Sequence, residues 1–205
     1  MAVKNHLLDD KIIEAATAEF LEFGFQGASL RRIAQRADLS TGALYTRYKS
    51  KDALFCSIVN DALSEISHEF EPLQQCYMDA QKSGSVEAVL EAIQQEEQVY
   101  QKILLKYYDQ CVLFFCQSDG SSLQTKLEQF MTYKAKETVA FLENLSKKEV
   151  NADGVEMLLS EQFYGYRAIL QKRLSREKTK ACLKMVENFH EAGWKELFQQ
   201  ITKEP

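Results

Sequence analysis

The side chains with the clearest chemical potential lie between residues 26 and 51. Arg31, Arg32, Arg36, Arg47, Lys49 and Lys51 stand there against Asp38 alone, a local net charge of +5. Cations at that density attract a polyanion, and arginine forks and lysine ammoniums suit phosphate. The whole chain gives the opposite impression, with 25 Lys+Arg, 30 Asp+Glu and a net charge of −5. Residues 52–205 alone carry −7, so an acidic bulk hides a basic segment. The local count is the electrostatic footprint of a nucleic-acid surface. The plain alternative is a helical hairpin with a solvated basic face.

Helices must position these groups. Only 8 Gly and 2 Pro occur in 205 residues, too few for the frequent tight turns of a sandwich or barrel. Apolar residues Ile12, Ala16, Phe20 and Phe23 predict helix 1 over Leu8–Phe23, ended at Gly24. Ser29 caps a second helix over Leu30–Arg36, and Ser40 caps a third over Thr41–Tyr48. Ile33, Ala34, Leu39 and Leu44 can close a small core between those two, a helix-turn-helix. Ser50 caps helix 4, Lys51–Phe70, which Pro72 is expected to stop. Further helices are predicted over Val86–Glu96, Gln98–Gln117, Ser122–Ser146, Gly154–Leu174 and Arg176–Ile201, with Gly84 among the breaks. The fold class is therefore all-α, about nine helices, with a three-helix domain over residues 1–50 and a larger helical domain over 51–205.

Residues 8–55 closely resemble the DNA-binding region of the TetR/AcrR family of transcriptional regulators. The resemblance rests on Ser29, Ile33, Ala34, Ala37, Leu39, Ser40, Thr41, Gly42, Leu44, Tyr45, Tyr48, Lys51 and Leu54. Asp38 stands where the family usually has Gly, and Asp tolerates the left-handed turn better than most residues. Arg47 and Tyr48 replace a common His and Phe. The resemblance implies that helix 3 enters the major groove of double-stranded operator DNA. Thr41, Gly42, Ala43 and Thr46 would face base edges, with Arg31 reaching from helix 2. Ser29, Tyr45, Arg47 and Lys51 would contact phosphates.

The resemblance also implies that the second domain encloses a small-molecule pocket and pairs with its copy into a homodimer. Residues 103–116 are apolar nearly all round, the mark of an interior helix. Tyr100, Leu104, Tyr107, Cys111 and Phe114, with Phe130, Tyr133, Phe163 and Tyr166, are the candidate walls for a mostly apolar effector. Any single one of these aromatics reads more simply as plain core. Phe189, Gly193, Trp194 and Leu197 on the last helix are the candidate dimer face. Gly193 costs that helix about 1 kcal/mol relative to Ala, which a close helix crossing would explain.

Other classes are poorly represented. Five cysteines at irregular spacing and three histidines give neither a zinc pattern nor a disulfide framework. No Gly-rich phosphate loop or nucleophile motif suggests an enzyme, and no cofactor is expected. MAVKNHLLDDK lacks an apolar core for a signal peptide, and Cys111–Cys116 is too short to span a bilayer. The expectation is a cytoplasmic protein without a membrane partner. A thiol-redox sensor on the same scaffold is the alternative, although Cys111 and Cys116 lie about 140° apart on a helix and cannot bridge.

Overall fold

The computed structural model describes residues 6–83 and 85–202. Among them are nine α-helices and no strand: α1 His6–Gly27, α2 Leu30–Arg36, α3 Thr41–Arg47, α4 Lys51–Ser83, α5 Val86–Lys106, α6 Tyr108–Cys116, α7 Ser122–Ser146, α8 Ala152–Gln171 and α9 Arg176–Thr202. The segment MAVKN and Gly84 lie outside the described residues.

Two compact units divide the chain. The first takes the residues up to Ser64 together with Asp109–Leu127. Its core joins Ile12, Ala16 and Phe20 of α1 to Ile33 of α2 and Leu44 of α3, all fully buried or nearly so. Leu54, Phe55, Ile58 and Val59 of α4 belong to the same core, so packing in this unit reaches past residue 50. Phe55 meets the ring of Phe20 edge-on at 4.8 Å and that of Phe25 at 5.2 Å. Each large apolar side chain so buried contributes roughly 1.5–3 kcal/mol.

Gly24 breaks α1 where the sequence places a stop, at φ 67 and ψ 174. One further turn continues to Gly27. The left-handed angle suits glycine, and a Cβ there would lie 2.8 Å from Oε1 of Gln117. The kink frees the Phe25 N–H to donate to the Gln117 carbonyl at 2.9 Å.

The second unit comprises Glu65–Tyr108 and the residues from Glu128 onward. Its core is formed by Val89, Leu142, Val155, Leu159, Trp194 and Phe198, among others. α9 packs on both α5 and α8. Gly165 of α8 faces Val186 of α9, which a Cβ there would meet at an ordinary contact distance of 3.5 Å.

Two predicted boundaries are corrected. Pro72 does not end α4, which runs to Ser83. An interior proline costs about 3 kcal/mol through a lost hydrogen bond and a clash. Here Pro72 and His68, the residue four back, both face solvent, where water can serve the orphaned carbonyl. Leu73 and Ala80 beyond it are buried, and Lys102 holds Glu69 at 2.7 Å just before it. The break between α5 and α6 falls at Tyr107, not at residue 97. Glu97 is buried within α5 and offers no stop, whereas Tyr107 leaves helical geometry with φ −112 and ψ 42.

Candidate functional site

The helix-turn-helix is built on a carboxylate that lies outside its own two helices, Glu19 of α1. Glu19 lies on the apolar face of α1 with no exposed surface. Its Oε1 accepts the Ser29 N–H at 3.0 Å and Arg32 Nε at 2.6 Å, and the Arg36 guanidinium lies 3.6 Å from its Oε2. A buried charge is tolerable when paired and hydrogen-bonded. Glu19 thereby caps α2 from a distance, and the Ser29 hydroxyl makes no capping bond. Arg32 also donates to the Gly27 carbonyl at 2.7 Å and covers the Phe23 ring at 4.4 Å. Two cations of the basic segment, Arg32 and Arg36, thus join α2 to α1. The visible signal was a lone Glu among Ala15, Ala16 and Phe20.

The turn follows the sequence closely. Asp38 sits at φ 57, in the left-handed region, and the Leu39 N–H donates to the Ala34 carbonyl at 2.9 Å. Ser40 caps α3, its Oγ accepting the Ala43 N–H at 3.1 Å. Leu44 is fully buried and fixes the rotation of α3. Gly42, Tyr45, Thr46 and Arg47 are exposed, while Thr41 and Ala43 are half-buried. A Cβ on Gly42 would meet only Ser40 Oγ, at 3.9 Å, so backbone is presented openly there. The Thr46 hydroxyl donates to the Gly42 carbonyl at 3.0 Å. Arg31 of α2 is also exposed.

Two of the expected phosphate contacts are engaged within the unit. Arg47 Nε donates to Asp9 at 2.9 Å. Lys51 Nζ donates to the carbonyls of Gln26 and Ala28, both at 3.1 Å, and lies 4.7 Å from the Phe25 ring centre. Lys51 therefore closes the end of α1, which the motif spacing did not reveal.

The second unit contains a cavity of about 600 Å³. Tyr100, Phe130, Tyr133, Phe163 and Tyr166 all line it. Tyr100 is the hub, with ring centres of Phe70 at 4.9 Å, Tyr166 at 5.9 Å and Phe163 at 6.2 Å. Glu96 on the wall accepts from Tyr77 Oη at 2.5 Å, Tyr100 Oη at 3.2 Å and Lys134 Nζ at 2.6 Å. Four other candidates for the wall lie elsewhere. Cys111 and Phe114 are buried in the first unit, whose core α6 completes. Leu104 is buried away from the cavity, and Tyr107 ends α5. A helix apolar on all sides marks an interior without saying which one.

Trp194 is corrected as a dimer-face residue: it is buried, stacks on Phe198 at 6.0 Å and lines the cavity. Leu197 packs beside the same core. Phe189 is 70% exposed, and a Cβ on Gly193 would meet nothing within 4 Å. All five cysteines are free thiols, and burial pushes the Cys111 thiol up to about 12, away from the reactive thiolate.

An outward-facing α3 held on a three-helix core is a helix-turn-helix, the arrangement that presents a helix to a DNA groove. Residues 12–58 match the model of the bacterial regulatory proteins, tetR family. This segment is similar to the N-terminal domain of that family. The chain is 34% identical over 58 residues to the HTH-type transcriptional regulator YhgD of Bacillus subtilis, a match covering 28% of this chain and 30% of YhgD. It is 35% identical over 65 residues to the A-factor receptor protein of Streptomyces griseus, covering 31% and 24%. The chain thus spans less than a third of either relative. The fold of the whole is shared with a TetR-like transcriptional regulator from Rhodococcus sp. RHA1, at TM-score 0.61 and 16% identity over 94% of this chain and 100% of that one. No described helix is long and apolar enough to cross a membrane.

Proposed function

We propose that the protein is a homodimeric transcriptional repressor of the cytoplasm. It binds a near-palindromic operator and leaves it when a small molecule occupies the second unit. It works by binding, without catalysis and without a cofactor. The observation that carries this reading is α3 itself, with Leu44 locked inward and Gly42, Tyr45 and Thr46 turned outward, in a segment matching the tetR family.

In this reading residues 1–50 hold the DNA-reading surface and 51–205 the effector and dimer functions. Thr41, Gly42, Ala43 and Thr46 face bases. Arg31 reads a guanine, at about 1–3 kcal/mol of discrimination. Ser29 and Tyr45 contact phosphate. Arg47 reaches phosphate by exchanging Asp9, and Lys51 orders the backbone that Ser29 presents. The dimer face is the exposed apolar surface of α8 and α9, where Met157, Tyr164, Met185 and Phe189 face outward. Two-fold pairing of that surface would place two α3 helices on half-sites of one operator.

The test is a band shift on the DNA upstream of the chain's own coding sequence, with random-sequence competitor. An Arg31→Ala/Tyr45→Ala double variant should lose about 100-fold in affinity, from one base contact and one phosphate contact. Wild-type affinity in that variant would remove α2 and α3 from the interface.

A further inference from the structure

The cavity of the second unit carries an imbalance that its aromatic walls do not explain. Its charged lining is Glu96, Glu97, Glu137 and Lys134, three acids against one base. Lys134 is held by Glu96, which also accepts from two tyrosine hydroxyls, so that base is neutralised. Glu97 differs. It is 5% exposed, and its Oε1 is shut off from solvent with no hydrogen-bond partner. A buried carboxylate left this way is costly unless a proton or a cation joins it.

We infer that this cavity binds a lipophilic organic cation, a protonated amine or quaternary ammonium on an apolar body, with Glu97 as counter-charge and Tyr100, Phe163 and Tyr166 as walls. The inference rests on reading the second unit as the effector-binding unit. Cations are attracted to the faces of aromatic rings, more strongly when desolvated. The volume suits a drug-sized molecule. An anion finds no unneutralised base on the wall, and a neutral ligand draws no charge attraction from Glu97.

The surroundings of Glu97 favour the same exchange. Glu187, Glu191 and Lys184 approach it from α9 and Glu96 from its own helix, with the hydroxyls of Tyr77 on α4 and Tyr166 on α8 nearby. Lys184 lies 3.9 Å from Glu187. Burial first, and the repulsion of Glu187 and Glu191 next, push the Glu97 carboxyl up to about 8. At neutral pH the group therefore carries a proton. A bound cation replaces that proton, which leaves to buffer, so the charge inside is conserved.

Calorimetry on the full chain without DNA tests this, using decyltrimethylammonium, decanol and decanoate below their micellar concentrations. The cation should bind at least about tenfold tighter than either other probe. Its affinity should rise by up to about tenfold per pH unit below pH 8 and then level off. Glu97→Gln should cost the cation about tenfold, flatten the pH dependence and leave decanol unchanged, the last showing that the cavity is intact. Equal or tighter binding of decanol or decanoate, or an unaltered cation affinity in Glu97→Gln, would overturn the assignment. Operator binding is not read in this experiment, so failure of the regulator proposal would appear only in the band shift.

Discussion

The first compact unit buries Glu19 and the second buries Glu97 and Glu187, and Glu19 and Glu97 are handled in opposite ways. Glu19 in the first unit is saturated at Oε1 by a backbone N–H and the Arg32 guanidinium. One oxygen of each, Oε2 of Glu19 and Oε1 of Glu97, accepts no hydrogen bond, but that of Glu19 has the Arg36 guanidinium at 3.6 Å, whereas Glu97 has mainly acids around it. A buried charge that is answered locks helices together; one that is unanswered waits for a ligand or a proton. The first glutamate belongs to architecture and the second to binding.

The largest effect should come from removing the answered charge. Glu19→Ala leaves the Ser29 N–H and Arg32 without their acceptor and should cost about 2–3 kcal/mol in denaturant unfolding. A loss below about 0.5 kcal/mol would show that the Arg32 and Arg36 contacts contribute nothing net.

The unanswered charge should behave in reverse. The folded state holds the Glu97 proton to about pH 8, while an unfolded glutamate releases it near 4.5. The folded chain binds the extra proton in that window, so stability falls as pH rises from about 4.5 to about 8. Glu97→Gln should therefore match wild type near pH 4.5 and exceed it by about 1–3 kcal/mol at pH 8. Destabilisation at pH 8 would mean that the carboxylate has a partner after all.

Two glycines sharpen the contrast between fixed and open regions. Gly24→Ala places a Cβ at positive φ and against Gln117, and should cost about 1–2 kcal/mol by thermal unfolding. Gly193→Ala has open space and should stabilise a lone subunit by about 0.5–1 kcal/mol. Weaker self-association in that variant, measured by sedimentation, would locate a close crossing of two α9 helices there.

How much of this was legible follows from the range of each interaction. The bounds of α2 were readable because the break at Gly24–Ser29 and the turn at Ala37–Leu39 are local. Ser40 and Ser50 were readable as caps for the same reason, and both accept the N–H three residues on. Pro72 misled because a local rule was overridden by burial of Leu73 and Ala80 beyond it. The break at Tyr107 had neither Gly nor Pro to mark it. Glu19 and Glu97 went unseen because their meaning depends on residues far along the chain. Tyr100, Phe163 and Tyr166 line one cavity of the second unit, whereas Cys111 and Phe114, equally apolar in their setting, lie in the first. Apolarity shows that a residue is inside, not inside which unit. Trp194 was misplaced for the same reason.

The central claim is that two copies of α3 read one near-palindromic operator. Footprinting of the full chain on its upstream DNA in excess random competitor tests it most directly. The account predicts two protected half-sites related by a two-fold axis and about one helical turn, or a multiple of it, apart. Protection that is uniform along the DNA, or that competitor of any sequence abolishes equally, would contradict it.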